Sequence, residues 1–214
     1  MFELQKIIMK EIDHNTAKLY IEKNHYSHKI PQAVKYRFGF YYEDNLVGCC
    51  IYSIPANYHC VSCLFDNEPQ QICLELSRFY GEDITCKNFE SYCISKTFDI
   101  LKSDYDIILS YADSYFNHVG TIYQALNFLY LGTTNPETRF FYNNQLITRR
   151  ALGRNGQSEK EDRDKLLSLG AKQIKMPGKH KYVYFICNKR RKKELLKKLK
   201  VKILNYPKQE PILQ

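Results

Sequence analysis

Reactive side chains collect between residues 74 and 132, where predicted strands end and predicted helices begin. Arg78 stands near the end of one strand, Asp113 ends the next, and His118 and Tyr123 follow it. Ligands of open α/β sheets bind in the crevice at that edge. The segment therefore predicts a functional site.

Arg78 and Asp113 each allow a functional and a structural interpretation. A guanidinium in an apolar strand is costly unless it is paired or lies in a cleft. Arg78 therefore either clamps a phosphate or carboxylate or forms a salt bridge to Glu75 or Asp113. Asp113 could act as a general base, orient a substrate amine or bind a metal. It could also simply cap the following turn, as Asp commonly does.

Tyr123 shares a predicted helix stripe with Val119 and Leu126, and a Tyr on such a stripe is more often core than catalyst. His118 is predicted to open that helix, where the positive end of the dipole favours a neutral imidazole. It is either a ligand or acid–base group, or simply the first residue of the helix.

Four hydrogen-bonding side chains follow the end of the first predicted helix, in the motif Asn24-His25-Tyr26-Ser27-His28. The two histidines do not have the i, i+4 spacing that places metal ligands on one helix face. We therefore favour a substrate pocket over a metal pair, with Tyr26 as a stacking or proton-transfer group.

The composition indicates a globular protein without a membrane segment. Its 214 residues suit one α/β domain, and 44% hydrophobic content supplies a core. No apolar run reaches the roughly 18 residues of a membrane span, and the charged start is no signal peptide. We predict a cytoplasmic protein with eight reduced cysteines; the cluster His59-Cys60-x-x-Cys63 reads as packed thiols rather than a metal site.

The net charge of +9 is concentrated near the C-terminus, where residues 189–202 hold nine Lys or Arg and one Glu. Such a cluster indicates a polyanion partner, although a solvated helix face is the simpler alternative. The predicted phosphate contacts are Arg190, Arg191, Lys192 and Lys193.

The elements that position these residues alternate between strands and helices. The patterns predict strands over 4–12, 34–43, 46–53, 72–80, 106–111, 128–133, 138–150 and 183–187. They predict helices over 14–25, 88–102, 118–127, 159–169 and the basic segment. We predict one domain over 1–188, followed by a basic helix and tail over 189–214.

This order resembles the GNAT-type acyltransferase fold, of the α/β (α+β) class. The resemblance implies a central mixed sheet flanked by helices, with splayed strands whose gap admits the pantetheine of acyl-CoA. The family's late Tyr-x-x-x-Gly-Phe motif is similar to Tyr123–Phe128, with Asn127 in place of glycine. The family's glycine-rich pyrophosphate loop is missing, because residues 78–83 offer one glycine and two acids.

A narrower set of motifs resembles the bacteriophage Mom family. The motifs are Asn24-His25-Tyr26, Leu76-Ser77-Arg78, Asn88-x-x-Ser91, Ser110-Tyr111-Ala112-Asp113 and His118-Val119-Gly120-Thr121-x-Tyr123-Gln124-Ala125, with the basic end after Tyr182-Val183-Tyr184-Phe185. The resemblance spans about residues 20–200. It implies an enzyme that converts adenine in double-stranded DNA to a methylcarbamoyl adenine and so protects phage DNA from host restriction. It also implies acetyl-CoA or a related cosubstrate, and it links the family to iron.

By the resemblance, Arg78, Asp113 and Tyr123 fall on the family's proposed active-site positions, and Tyr26 carries over as well. We predict that Asp113, Tyr123 and Tyr26 are catalytic and that Arg78, Phe79, Asn88 and Ser91 bind the cosubstrate. The predicted substrate contacts are His25, His28, Ser77, His118 and Gln124.

Two alternatives stay open: an acyltransferase acting on a protein or small amine, and a non-catalytic nucleic-acid-binding protein on the same scaffold. The cosubstrate, the recognition sequence and the oligomeric state are not determined by the sequence.

Overall fold

The computed structural model describes residues 2–57, 59–83, 85–148, 152 and 158–209. The chain forms two compact units. The first comprises Met1–Tyr111, Gly120–Gly132 and Lys181–Lys208, and the second comprises Ala112–Val119, Thr133–His180 and Gln209–Gln214. The predicted division at residue 188 stays a prediction.

The strands are β1 (Ile8–Glu11), β2 (Val34–Tyr42), β3 (Asn45–Ser53), β4 (Cys73–Gly81), β5 (Ile107–Ala112), β6 (Leu129–Thr133), β7 (Glu137–Tyr142), β8 (Gln145–Thr148), β9 (Lys172–Met176) and β10 (His180–Phe185). The helices are α1 (His14–Asn24), α2 (Cys60–Leu64), α3 (Phe89–Leu101), α4 (Thr121–Ala125), α5 (Glu159–Ser168) and α6 (Lys189–Lys198).

Seven strands form one mixed sheet in the order β1-β2-β3-β4-β5-β10-β6. β1 to β4 pair antiparallel with their neighbours, and β4 pairs parallel with β5. Ile107, Ile108 and Leu109 of β5 are fully buried, as expected of a parallel strand covered on both faces. The predicted mixed sheet flanked by helices is confirmed.

Local chemistry sets the helix boundaries. The Asp13 carboxylate caps α1 by accepting from the backbone N–H groups of Asn15 and Thr16, at 2.8 and 3.0 Å. A capping box starts α5, because Ser158 and Glu161 each bind the other's backbone N–H through the side chain. Both helices were predicted.

The prediction that His118 opens a helix over 118–127 is wrong. Asn117 and Gly120 adopt left-handed conformations, with φ of 57° and 78°, so the chain turns on either side of His118. The helix begins only at Thr121 and has five residues. His118 is therefore an exposed loop residue, outside the helix whose dipole was invoked.

A three-stranded antiparallel sheet, in the order β8-β7-β9, lies in the second unit with α5. The predicted single strand over 138–150 is a hairpin, because Asn143 and Asn144 both have positive φ and reverse the chain. Residues 149 and 150 lie outside the described residues.

All eight cysteines are free thiols, as predicted. No helix in the described ranges is long and apolar enough to cross a membrane.

Candidate active site at the gap between β4 and β5

The sheet opens where β4 and β5 stop pairing. Their ladder joins Cys73–Leu76 to Ile107–Ser110, whereas β4 remains paired with β3 as far as Gly81. The Ser110 hydroxyl donates to the carbonyl oxygen of Leu76 at 2.9 Å and satisfies the acceptor at the end of the ladder. A buried side-chain hydroxyl thus terminates the parallel pairing.

Tyr123 is hydrogen-bonded to Ser110 at this point. A serine hydroxyl has one proton, so Ser110 either donates it to Leu76 and accepts from Tyr123, or donates it to the Tyr123 oxygen, the arrangement that favours the phenolate. Burial raises the pKa of Tyr123 well above the ordinary tyrosine value, and the hydrogen bond with Ser110 opposes that shift only in part. Tyr123 therefore stays protonated at neutral pH.

Arg78 lies on β4 just beyond the end of the ladder. It is half-buried, and its guanidinium donates to the backbone oxygens of Lys29, at 2.9 Å, and Ser77. Burial lowers the pKa of Arg78, while the electrostatic influence of Tyr26, Glu75 and Tyr123 raises it.

The salt bridge that the sequence left open for Arg78 does not form to Glu75. Among the described residues of the first unit, no carboxylate lies within ion-pair distance of the Arg78 guanidinium. A half-buried guanidinium that binds carbonyl oxygens and has no ion pair within the described part of its unit can attract an anionic ligand.

The loop after α1 reaches this site through Lys29, which accepts from Arg78. His25 is buried, and its Nδ1 accepts from the Ser27 backbone N–H at 3.1 Å. Its ring lies 4.3 Å from that of Tyr26, which is 40% exposed. His28 binds the carbonyl oxygen of Glu22 through Nδ1 at 2.8 Å. Both histidines thus hold the loop that presents Tyr26.

Ser77 and Gln124, both predicted to bind substrate, have protein partners. The Ser77 hydroxyl is hydrogen-bonded to that of Ser53 and lies between β3 and β4. The Gln124 amide donates to the Tyr182 hydroxyl and the Pro207 carbonyl, at 3.3 and 3.2 Å. Their substrate roles stay predictions.

Asp113 lies in the second unit and is buried. It accepts from the backbone N–H of Tyr115 at 3.2 Å, so it caps the following turn. It also forms a 2.9 Å ion pair with Lys179, a partner that the sequence gave no means of finding. Since Tyr123 belongs to the first unit, the predicted pairing of the two groups stays a prediction.

A cavity of about 450 Å³ lies between the loop after β4, the start of α3 and the short helix α4. Asn88 and Ser91 line it, as do three acids and one lysine: Glu82, Asp83, Glu90 and Lys87. Phe79 instead packs against Phe40 and Phe89, with ring centroids 6.2 and 6.3 Å away. The excess of carboxylates opposes the binding of a polyphosphate in this cavity.

The predicted link to iron is not supported by the side chains of the described residues. Across the described ranges, no group of three or more His, Cys, Asp or Glu side chains is placed to hold a metal ion. Asp113 is already engaged with Lys179.

The basic helix α6 belongs to the first unit and has two faces. Leu195 is buried in a core cluster that includes Ile107 and Val183. Arg191 turns to the same side and binds Asp106 at 2.8 Å as well as the buried carboxylate of Glu68. The exposed basic residues are Lys189, Arg190, Lys192, Lys193 and Lys197.

Solved structures with a similar fold are N-acetyltransferases. NAA60 of Arabidopsis thaliana, in complex with acetyl-CoA, aligns with a TM-score of 0.52 at 10% identity, over 84% of this chain and 98% of that one. Spermidine N-acetyltransferase of Vibrio cholerae aligns with a TM-score of 0.50 at 11% identity, over 85% and 95%. At such identities the similarity establishes the GNAT acyltransferase fold alone.

Among curated protein sequences, none is significantly similar to the chain. The model of the Mom protein family matches residues 6–208, which is most of the sequence. The chain therefore belongs to the Mom protein family.

Proposed function

We propose that this chain is a transferase that adds a methylcarbamoyl-type group to the exocyclic amine of adenine in double-stranded phage DNA, and so protects that DNA from host restriction. The proposed cosubstrate is a thioester related to acetyl-CoA in which the methylcarbamoyl group itself is bonded to sulfur, because an acetyl group lacks the nitrogen that the product carries. The amine nitrogen then forms a bond to the thioester carbonyl carbon, and the carbon–sulfur bond breaks. The observation that carries the proposal is the protonated Tyr123, held by Ser110 at the open end of the β4–β5 gap.

Transfer from a thioester releases an anionic thiolate. A tyrosine whose pKa is raised by burial is a proton donor rather than a base near neutral pH. Tyr123 would protonate the leaving sulfur, and Ser110 would hold the phenol in position. Arg78 would attract an anionic part of the cosubstrate, since no carboxylate of the first unit's described residues pairs with it.

The attacking amine needs help as well. The nitrogen lone pair of adenine's exocyclic amine is delocalised into the ring, which makes the amine a poor nucleophile. Asp113 is the proposed acceptor of its proton. That carboxylate forms a 2.9 Å ion pair with Lys179.

DNA is the proposed acceptor because α6 offers a basic face on a fixed support. Arg190 is 90% exposed, and among the described residues its ion pair is a 3.9 Å contact with Glu194 on the same helix. Contacts from such a face go to phosphates, which supply affinity without reading sequence.

A small cationic amine is the second candidate acceptor. The carboxylates of Glu82, Asp83 and Glu90 around the cavity next to α3 would attract a polyamine. In that case the chain would acetylate the amine and leave DNA unchanged.

Nucleoside mass spectrometry of plasmid DNA from bacteria that express the chain tests the proposal. We expect a new deoxyadenosine adduct with the wild type and none with Tyr123→Phe. Tyr105→Phe is the matched control, because Tyr105 is also half-buried but packs against Tyr36, away from the gap. An unmodified digest together with acetylated polyamines in the cell extract would favour the second candidate.

A further inference from the structure

Two consecutive aromatic side chains project from the turn that follows β5. Tyr115 is 50% exposed and Phe116 is 44% exposed. Their ring centroids are 5.2 Å apart in an edge-to-face arrangement. In the described part of the chain, no other two adjacent aromatic residues are both this exposed. Exposed apolar surface of this kind marks an interaction site.

The turn that carries them is held by several hydrogen bonds. The carbonyl oxygen of Asp113 accepts from Phe116 and His118, at 3.1 and 3.2 Å, and its carboxylate accepts from Tyr115. The Ser114 hydroxyl donates to the carbonyl of Gly178 at 2.6 Å. A turn fixed at both ends presents its rings at little entropic cost.

The charge of the second unit suits a polyanion. Residues 133–180 contain ten Lys or Arg and five Asp or Glu. Lys172 and Lys175 on β9 are exposed. Exposed aromatic side chains and a positively charged surface are together the features that bind bases and phosphates.

The chain between the end of β5 and these rings is short. Tyr115 is five residues beyond Ser110, so their Cα atoms are at most about 18 Å apart. An enzyme that acts on the amine of a paired adenine must extrude the base from the stack. Apolar side chains inserted at a base step open duplexes in this way.

We propose that Tyr115 and Phe116 form an aromatic wedge that enters the base stack of duplex DNA and fills the space vacated by the extruded adenine. This inference rests on the proposed function, since a wedge is needed only for a base that must leave a duplex.

The test begins with a site that the wild type modifies in plasmid DNA. A duplex oligonucleotide containing that site carries 2-aminopurine, whose fluorescence rises on unstacking, in place of the target adenine. A second duplex adds an abasic position opposite the target, which removes the need for a wedge. The full chain is compared with Tyr115→Ala/Phe116→Ala, with Tyr115→Phe, and with the control Phe141→Ala, an exposed ring on β7 of the same unit.

We expect the double variant to lose the fluorescence rise on the paired duplex by roughly tenfold, because base–aromatic stacking is lost. The abasic duplex should restore it. Tyr115→Phe, which keeps the ring, and Phe141→Ala should behave as the wild type.

Three results would overturn the wedge. One is a double variant that unstacks the paired duplex as the wild type does. Another is an equal loss on both duplexes, which would indicate general weakening of binding. The third is a changed sedimentation mass with unchanged fluorescence, which would make the rings a contact between copies. If the wild type modifies no adenine at all, the proposed function fails first and the wedge fails with it.

Discussion

Two adjacent arginines on α6 should affect different properties when they are changed to alanine, one the stability of the fold and the other the affinity for DNA. Arg191 is only 25% exposed and binds two carboxylates, that of Asp106 at 2.8 Å and that of Glu68, which is 3% exposed. Arg190 is 90% exposed and lies 3.9 Å from Glu194. We expect Arg191→Ala to destabilise the fold and Arg190→Ala to weaken DNA binding.

The magnitudes follow from burial. Removing one partner of a buried ion pair costs about 3–5 kcal/mol, because the remaining charge is left uncompensated. Glu68 would still have Lys198 at 2.7 Å, so we expect a loss of about 2–3 kcal/mol for Arg191→Ala. An exposed pair contributes about 0–1 kcal/mol, so Arg190→Ala should be nearly neutral. For a chain of this size the first loss lowers Tm by roughly 5–10 °C.

The stability contributed by the Glu68 ion pairs should fall at acidic pH. Burial opposes ionisation of Glu68, but hydrogen bonds from Arg191 and Lys198 outweigh it and hold the pKa of that carboxyl below its ordinary value. The stabilisation from the ionised Glu68 is therefore fully present above the pKa of this group in the unfolded chain, about 4.3. It is lost as the pH falls through the lower pKa of Glu68 in the folded protein. The difference between the wild type and Arg191→Ala should be constant at neutral pH and shrink below about pH 4.

Urea denaturation measures the first effect, and duplex binding at several salt concentrations measures the second. Arg190→Ala should flatten the salt slope by roughly one unit and weaken binding to all sequences alike. An Arg191→Ala protein within about 0.5 kcal/mol of the wild type would refute the ion-pair reasoning. An unchanged salt slope for Arg190→Ala would leave α6 only a solubilising face.

Three further predictions concern the gap and its support. Tyr123→Phe and Asp113→Asn should each lower the rate of adenine modification by roughly a hundredfold or more at saturating substrate; wild-type rates would remove the catalytic role of the residue concerned. Tm should be nearly unchanged for Tyr123→Phe and lower for Asp113→Asn, because the second variant loses the ion pair with Lys179. Arg78→Lys keeps the charge but loses the bidentate fork, so KM for the cosubstrate should rise while DNA affinity, measured separately, stays constant. Gly120→Ala should cost about 3 kcal/mol in urea denaturation, because φ is +78° and a Cβ would lie 2.5 Å from the Tyr182 ring; a wild-type midpoint would contradict this.

Periodicity was a sound guide wherever burial decides the structure. The continuous apolar run of β5 and the capped start of α1 at Asp13 were both predicted from neighbouring residues alone. Because the order of the elements fixes which strand ends share an edge, it also placed Arg78 near the gap. The sheet topology agrees with the predicted order of the elements.

The backbone conformation of single asparagines was harder to predict from the sequence. Asn143 and Asn144 look compatible with a strand, but their positive φ values turn one predicted strand into β7 and β8. A positive φ at Asn117 likewise turns the chain before His118, so that His118 lies outside α4. The Asn-Asn pair between two apolar runs was the available signal for a hairpin.

Hydrogen-bond and ion-pair partners that are distant in the sequence could not be predicted from local sequence patterns. Ser110 was visible as a polar residue in a buried strand, but its bonds to Leu76 and Tyr123 depend on where β4 and β5 separate. Arg191 stands four residues before Leu195, and that spacing places it on the docked face of α6. Its carboxylate partners, Glu68 and Asp106, could be identified only from the fold.

The central claim is transfer to the exocyclic nitrogen of adenine. Duplex DNA labelled with ¹⁵N at that nitrogen, incubated with the full chain in extract of the cells in which it is active, tests this most directly. We expect a nucleoside fragment in which the added group is bonded to the labelled nitrogen, and we expect it to be absent with Tyr123→Phe. Unmodified labelled adenine, or an adduct on a ring nitrogen, would contradict it.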